Sequence, residues 1–209
     1  PRPALIPTLA PSRLVSHGPT PEGELLGTAA EAVGDAEAAR RSGLALHALL
    51  QHLPTIPPAL RPDIARRALL ALWPEGADEH AALARTAISI LSRPEFSELF
   101  GPDSRAEVPF LAEGTRRGAK VRFAGRIDRL VVRPDSVLIL DFKSDSRPPE
   151  RAEDVPKPYL AQLGLYASVA GQLFPSARLE AAILWTRLES LLKFDSAALA
   201  EAAAEFTIG

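Results

Sequence analysis

The stretch Ile139-Leu140-Asp141-Phe142-Lys143-Ser144 decides the fold, because it closes an unbroken apolar run that begins at Val137. A short apolar run between turn residues is typical of a strand that is buried on both faces of a sheet. Side chains alternate along a strand, so Asp141 and Lys143 are expected on one side and Phe142 on the other. The sequence therefore predicts a carboxylate and an ammonium group side by side at the end of a rigid central strand.

A second acid lies one hairpin earlier, in the stretch Gly125-Arg126-Ile127-Asp128-Arg129-Leu130. Asp128 lies within an apolar strand pattern of its own, so both acids are predicted to face one point of the sheet. Two acids in such a place raise the free energy of the folded chain unless a cation binds there. This arrangement predicts a metal-dependent nuclease, since phosphodiester cleavage needs a hard cation held by oxygen ligands.

Lys143 supplies the positive charge that this chemistry uses. Its ammonium group can orient or deprotonate the attacking water, or stabilise the charge that develops on the phosphate. The alternative is a solvated ion pair, which is common for an aspartate and a lysine two positions apart at a strand end. The second acid, Asp128, favours the nuclease hypothesis, because a simple ion pair does not need it.

The composition is that of a globular protein and limits the chemistry of the chain. With 209 residues, 46% of them hydrophobic, it can bury a substantial core. The net charge of −2 provides no general basic field, so contacts with DNA have to come from local patches. Cysteine is absent, which excludes disulfides, zinc–thiolate sites and iron–sulfur clusters. No apolar stretch approaches the ~18 residues of a membrane span, so we expect a soluble, cytoplasmic protein with no membrane partner.

Residues 1–40 are expected to be a linker with a low-complexity continuation that is partly mobile, and residues 41–209 a single nuclease domain. Residues 1–21 are rich in proline and lack helical periodicity, and residues 27–40 are rich in alanine. The chain contains no methionine, even at its first position. We therefore expect it to be part of a larger protein.

Hydrophobic periodicity predicts a helical N-terminal half and a mixed C-terminal half. Helical spacing starts at Ser42 and is ended by Pro54. From Arg105 the period becomes that of strands, and a helix and further strands follow, which predicts a mixed central sheet flanked by helices. The predicted helices are 42–53, 58–73, 77–91, 94–100, 158–173 and 197–206, and the predicted strands are 106–112, 120–133, 136–143, 177–189 and 191–194.

Five short motifs in a fixed order resemble the RecB-type nucleases of the PD-(D/E)XK superfamily. The resemblance covers roughly Ser42 to Leu192, and the order of the motifs makes it far more specific than any single one. The motifs are Gly43-x-x-x-His47 on a helix, Glu107 at the opening of a strand, Gly125-x-x-Asp128-Arg129, Asp141-Phe142-Lys143-Ser144, and Gln162-Leu163-x-x-Tyr166 on the next helix.

The resemblance implies an α/β fold with a restriction-endonuclease-like core, and a role for each matching residue. The implied cofactor is Mg²⁺, with Mn²⁺ as a substitute. The implied metal ligands are His47, Asp128, Asp141 and the backbone carbonyl of Phe142, the implied catalytic lysine is Lys143, and Gln162 and Tyr166 are implied to line the site and position DNA.

Within the RecB-type group, the chain looks most like the nuclease domains of AddA-type helicase–nuclease subunits. This similarity implies a DNA exonuclease that acts in double-strand break resection and recombinational repair, on DNA that we expect to be single-stranded. It also implies helicase domains in the same parent chain and an AddB-like partner subunit. The lack of cysteine separates the chain from the RecB-type relatives that carry an iron–sulfur cluster.

Two other functions stay open at this point. A domain of the same fold could bind nucleic acid or act as a scaffold without catalysis, although Asp128, Asp141 and Lys143 are all present. A metal-dependent enzyme that acts on a small phosphorylated molecule is less well supported, because the chain has no glycine-rich loop that would cradle a phosphate.

Several of the site residues also have a purely structural interpretation. A histidine on an apolar helix face, such as His47, is usually a packed core residue, and Gln162 and Tyr166 could lie on the edge of an amphipathic helix. Glu107 could belong to a solvated ion pair at a strand end. Basic residues that could contact a DNA backbone, or serve only solubility, are Arg116, Arg117, Lys120, Arg126 and Arg129.

Overall fold

The computed structural model describes residues 7–11, 29–145 and 147–209, and the chain in it divides into two units. The sheet unit consists of Pro1–Ser16, Pro102–Trp185 and Ser190–Gly209. The helical unit consists of His17–Gly101 and Thr186–Glu189. Most of the predicted linker, 1–6 and 12–28, lies outside the described residues.

The helical unit contains α1 (Ala29–His52), α2 (Arg61–Leu72) and α3 (Ala77–Ser92). Proline stands in the first turn of α2 and of each short 3₁₀ helix in this unit, where its missing N–H costs nothing. Helix α1 begins well before the predicted Ser42, because the alanine-rich 29–40 segment, expected to have little regular structure, has high helix propensity. The 3₁₀ helices are Leu53–Thr55, Pro58–Leu60, Pro74–Gly76 and Pro94–Phe100.

The sheet unit is built on a mixed sheet with the strand order β6-β5-β4-β3-β2-β7. Strands β4 and β5 are parallel, and α4 connects them, while the other neighbours on this path are antiparallel. The predicted mixed sheet with flanking helices is therefore confirmed. The elements are β1 (Thr8–Leu9), β2 (Ser104–Arg116), β3 (Ala119–Val132), β4 (Ser136–Lys143), α4 (Lys157–Leu173), β5 (Arg178–Trp185), β6 (Ser190–Phe194), α5 (Ser196–Ala203) and β7 (Phe206–Ile208), with a 3₁₀ turn at Ala152–Asp154.

Strand β4 is central and buried, as its apolar run predicts. It pairs with β3 on one side and with β5 on the other. Val137, Leu138, Ile139 and Leu140 are each at most 2% exposed. A strand covered on both faces and paired on both edges gives the side chains at its end a fixed position.

Helix α4 covers the sheet and is itself covered by α5. Tyr166 and Ala170 join the core cluster that contains Ile139 of β4, whereas Leu165 and Val169 pack on Phe123 of β3. Its other side meets α5 closely, because a Cβ at Gly164 would lie only 2.5 Å from the backbone carbon of Ala202. The helix is thus held between the sheet and α5.

Three parts of the sheet unit differ from the predicted elements. Strand β5 ends at Trp185, because 186–189 form a turn in which Glu189 has a left-handed φ of 50°. Helix α5 ends at Ala203, and Phe206–Ile208 then forms β7 on β2. Strand β1, inside the predicted linker, pairs in parallel with Arg122 and Phe123 of β3. Segments of two or three residues are too short to show a period.

None of the helices in the described ranges combines the length and the apolar character that crossing a bilayer requires.

Candidate active site

The end of β4 brings an acid and a lysine together on one face. Lys143 Nζ lies 2.6 Å from Asp141 Oδ2, and the side chains are 15% and 2% exposed, respectively. Phe142, between them, is buried. This is the contact that the alternation of side chains predicts, and its low exposure distinguishes it from the solvated ion pair considered as the alternative.

Asp128 lies on β3, across from the end of β4. The paired residues of β3 and β4 run from Val132↔Val137 to Arg129↔Leu140, so the next step places Asp128 opposite Asp141. Asp128 Oδ2 accepts a hydrogen bond of 2.7 Å from the backbone N–H of Phe142. The two aspartates thus form an acid pair on neighbouring strands.

The acid pair changes the protonation of Asp128. Burial, followed by the charge of Asp141, raises the pKa of Asp128 to about 8. The Phe142 N–H and the Lys143 ammonium group favour the charged form, but they offset only part of this shift. In the absence of a cation the site therefore keeps a proton at neutral pH, and a cation that binds there has to displace it.

A chain of hydrogen bonds connects the lysine to α4. Lys143 Nζ donates to Gln162 Oε1 over 2.9 Å, and Gln162 Nε2 donates to the Tyr166 hydroxyl over 2.8 Å. Burial and then the charge of Asp141 raise the pKa of Tyr166 above its ordinary value, so the hydroxyl stays protonated. The spacing of Gln162 and Tyr166, one helical turn apart, explains why both face the site. Both are buried in the sheet unit rather than at the edge of an amphipathic helix.

Two contacts of Tyr159, one of them with Lys143, were not expected from the motifs. Lys143 Nζ lies 4.7 Å from the centre of the Tyr159 ring, and the Tyr159 hydroxyl donates a 2.8 Å hydrogen bond to Asp145. The signal in the sequence is the spacing of Tyr159, which precedes Gln162 by three positions on the same helix and therefore shares its face.

Glu107 lies on β2, in register with Asp128. The neighbouring pairs are Ala106↔Arg129 and Val108↔Ile127, which leaves Glu107 and Asp128 opposite each other. Glu107 has a left-handed φ of 51°, which costs energy for a residue with a side chain. Its charge contributes to the raised pKa of Asp128, so the two side chains lie within electrostatic range. Glu107 thus lies three residues inside β2, and it also forms an ion pair of 3.6 Å with the exposed Arg126, so the alternative of a solvated pair stays open for it.

The strand backbone is irregular at this point. Ile127 and Leu130 belong to the same core cluster although they are three positions apart on β3, and regular alternation would place them on opposite faces. The alternation of side chains along β3 therefore shifts by one position around Asp128, next to Glu107 with its left-handed φ. Departures from strand geometry of this kind re-aim side chains and are frequent next to active sites.

Gly125, the first residue of the motif that contains Asp128, has no room for a side chain. A Cβ there would lie 2.6 Å from Pro11 and 3.2 Å from Phe110. The segment around β1 therefore packs directly on β3 here, and the Arg122 N–H donates a 2.9 Å hydrogen bond to the carbonyl of Pro7. The requirement for glycine is steric.

His47 lies on α1 in the helical unit and is partly buried. Its role as a metal ligand stays a prediction, as does that of the Phe142 carbonyl. In residues 7–11, 29–145 and 147–209, no three side chains of His, Cys, Asp or Glu are grouped as metal ligands would be.

The acid pair still fits a hard divalent cation, because both donors are carboxylates and one of them keeps a proton that a cation could replace.

The basic residues predicted to contact DNA are partly engaged elsewhere. Arg129 is only 3% exposed and donates to Ser104 Oγ over 2.9 Å, so burial removes it from that set. Arg116 and Arg117 both pair with Glu205, at 3.3 and 2.9 Å. Lys120 and Arg126 are exposed, as is Arg117, and Arg126 pairs with Glu107 at 3.6 Å.

Comparison with known proteins gives one match to a family and several weak structural similarities. The sequence model of the PD-(D/E)XK nuclease superfamily matches residues 23–206. No curated protein sequence matches the chain. The solved structure of SSO0001 is 16% identical with a TM-score of 0.34, over 82% of this chain and 84% of that one. A candidate exonuclease from Eubacterium rectale is 16% identical with a TM-score of 0.39, over 70% of this chain and 60% of its own.

Proposed function

Because the chain belongs to the PD-(D/E)XK nuclease superfamily, we propose that it is the Mg²⁺-dependent DNA exonuclease domain of a RecB-type helicase–nuclease that acts in double-strand break resection and recombinational repair. The observation that carries this proposal is the contact between Asp141 and Lys143 at the end of β4, with Asp128 on the next strand. An acid pair beside a lysine is the set of groups that phosphodiester hydrolysis uses.

Asp128 and Asp141 would hold the cation, together with the predicted ligands His47 and the backbone carbonyl of Phe142. When bound, Mg²⁺, or Mn²⁺ in its place, supplies Lewis-acid neutralisation of the phosphate charge and activates water. Asp128 would have to lose its proton to act as a ligand, because burial and the charge of Asp141 raise its pKa and keep it protonated without a cation.

Lys143 acts beside the acid pair. Asp141 and Gln162 both contact its ammonium group, which leaves that group little freedom to swing away from the site. A fixed positive charge next to the acids stabilises the charge that develops on the phosphate, and it needs no rearrangement during the reaction. The Tyr166 hydroxyl accepts a hydrogen bond from Gln162 Nε2, so its contribution is to position the amide that contacts Lys143.

The finer assignment to the AddA type rests on the resemblance of the sequence motifs to RecB-type nucleases, together with the lack of cysteine that separates the chain from the relatives with an iron–sulfur cluster. It would place helicase domains in the parent chain and an AddB-like subunit beside it, with single-stranded DNA delivered to the site. Arg117, Lys120 and Arg126 are the exposed residues among those predicted as DNA contacts, and two of the three already pair with glutamates. This supports weak binding by the domain alone, because few phosphates would be neutralised. Most of the affinity for DNA, and the delivery of the DNA strand to the site, would then come from other parts of the assembly.

The test is degradation of end-labelled linear single-stranded DNA in Mg²⁺, with circular single-stranded and linear duplex DNA alongside. We expect linear single strands to be degraded, circles to survive, and Asp141→Asn and Lys143→Gln to abolish the activity. Asp135→Asn, an exposed aspartate in the turn at the other end of β4, is the matched control and should keep it.

The outcomes separate the candidate functions. Cleavage of circles would identify an endonuclease instead. DNA binding in Ca²⁺ without any cleavage in Mg²⁺ or Mn²⁺ would identify the silent nucleic-acid-binding or scaffold domain considered from the sequence.

A further inference from the structure

Asp141, Gln162 and Tyr159 all lie around the ammonium group of Lys143, and only the first two belong to the recognised motifs. Asp141 and Gln162 contact it at 2.6 and 2.9 Å. The third is the ring of Tyr159, whose centre lies 4.7 Å from Lys143 Nζ. This distance is within the ~6 Å over which a cation is attracted to the face of an aromatic ring.

Tyr159 is itself held in place from two directions. Its hydroxyl donates a 2.8 Å hydrogen bond to Asp145, in the loop that follows Lys143. Its ring lies against Trp185, with centres 6.2 Å apart and a tilt of 50°. Trp185 is 2% exposed and is paired with Lys143 in the register of β4 and β5. The ring therefore has a rigid support on the strand next to the one that carries the lysine.

Helix α4 supplies two contacts that reach Lys143 from outside its own strand. Tyr159, Gln162 and Tyr166 are spaced three and four positions apart on α4, which places them on one face. Gln162 contacts the ammonium group through an oxygen, and Tyr159 through its ring face. The two contacts restrain the ammonium group in different directions, so neither replaces the other.

We propose that Tyr159 is a positioning residue for Lys143, which keeps the ammonium group beside the acid pair through its ring, while its hydroxyl fixes the following loop through Asp145. This inference rests on the proposed nuclease function. A lysine side chain has four rotatable bonds, and restraining it before the substrate arrives lowers the entropic part of the barrier. Because Tyr159 acts through Lys143, its effect is expected on the turnover rate and not on DNA affinity.

The first measurement compares Tyr159→Leu with Tyr159→Phe in Mg²⁺-dependent cleavage of linear single-stranded DNA. Phenylalanine keeps the ring and loses only the hydroxyl, so its kcat should stay within about threefold of the wild-type value, whereas kcat of Tyr159→Leu should fall on the order of tenfold or more, as expected for a lost cation–π contact. KM should change little in either variant. Leu160→Ala, on the same helix and packed on the core cluster, is the control for lost stability and should keep kcat.

The second measurement does not depend on activity. The lysines of the chain are Lys120, Lys143, Lys157 and Lys193, so a ¹³C-lysine-labelled protein gives a simple NMR spectrum. The Cε–Hε signal of Lys143, assigned by its loss in Lys143→Gln, should be shifted upfield by the ring in the wild type and in Tyr159→Phe. It should return to the position of an ordinary lysine in Tyr159→Leu, at a temperature where melting curves show that both variants are folded.

Each outcome decides between alternatives. Unchanged kcat in Tyr159→Leu, or an equal loss in Tyr159→Phe, would overturn the role of the ring. An unshifted Lys143 signal in the wild type would overturn the contact itself. If the wild type cuts no DNA but the Lys143 signal behaves as expected, the proposed function fails while the positioning of Lys143 by Tyr159 stands.

Discussion

The Asp128 carboxylate accepts a 2.7 Å hydrogen bond from the backbone N–H of Phe142, the residue between Asp141 and Lys143. The bond joins β3 to β4 one step beyond their last backbone pair, Arg129↔Leu140. Asp128 therefore closes the end of the sheet and also supplies an acid to the site. These two roles can be separated, because the first needs only an acceptor and the second needs a charge.

Asp128→Asn and Asp128→Ala are expected to separate the two roles. Asparagine keeps a carbonyl oxygen that can accept from Phe142, so it should fold stably but lose Mg²⁺-dependent cleavage. Alanine leaves the Phe142 N–H without this acceptor, and its free energy of unfolding should be about 1–3 kcal/mol lower than that of Asp128→Asn. Urea unfolding and a cleavage assay on the same preparations provide the check. Equal stability of the two variants would contradict the structural role.

The free energy of unfolding of the metal-free protein should depend on pH through Asp128. Its pKa is about 8 in the folded chain, against an ordinary value of 3.8. The folded state therefore binds this proton more tightly than the unfolded chain does, which stabilises the folded state. This contribution to the free energy of unfolding is complete below the unfolded pKa and is lost as the pH rises through about 8. Urea unfolding in EDTA between these limits should show the loss. The profile of Asp128→Asn should be flatter, and parallel profiles would refute the shift.

Binding of Mg²⁺ should release a proton from Asp128. Below about pH 8 the affinity should rise with pH, by at most about tenfold per unit if one proton is displaced. Calorimetry in two buffers with different ionisation enthalpies measures the proton directly. Asp128→Asn should release none, and a pH-independent affinity of the wild type would argue against Asp128 as a ligand.

The sequence predicts the centre of this structure well and its periphery poorly. The apolar run before Asp141 forces a buried strand, and the alternation along it fixes the contact with Lys143, because both follow from local geometry. Strand β7 forms only because it pairs with β2, which is distant in the sequence, and no local pattern predicts this pairing. The left-handed backbone of Glu107 and the burial of Arg129 depend in the same way on packing around the shift of alternation in β3.

Glu107 offers a test of whether this backbone strain serves the site. Glycine has little penalty at a φ of 51°, whereas alanine keeps the strain, so Glu107→Gly should be more stable than Glu107→Ala by about 1 kcal/mol. If the strain aims the carboxylate at Asp128, both variants should lose cleavage activity to the same extent. Thermal unfolding and a cleavage assay measure the two effects. Full activity of either variant would show that the carboxylate is dispensable.

Two glycines of α4 provide a matched pair for the packing that positions the site. A Cβ at Gly164 would lie 2.5 Å from the backbone carbon of Ala202 on α5, whereas at Gly171 the nearest such contact is 3.5 Å, to a methyl group of Leu179. Backbone cannot yield as a flexible side chain does, so Gly164→Ala should lower the free energy of unfolding by about 1–3 kcal/mol. Gly171→Ala should be neutral or stabilise by up to about 1 kcal/mol, since alanine is the better helix former.

The same pair connects packing to catalysis. Gly164 lies between Gln162 and Tyr166, so any displacement of α4 away from α5 moves the hydrogen bonds that restrain Lys143. Gly164→Ala should therefore lower kcat as well as stability, whereas Gly171→Ala should leave both unchanged or slightly improved. Urea unfolding and single-turnover cleavage of the two variants give the comparison. A Gly164→Ala protein that is destabilised but fully active would mean that α4 does not set the position of the lysine.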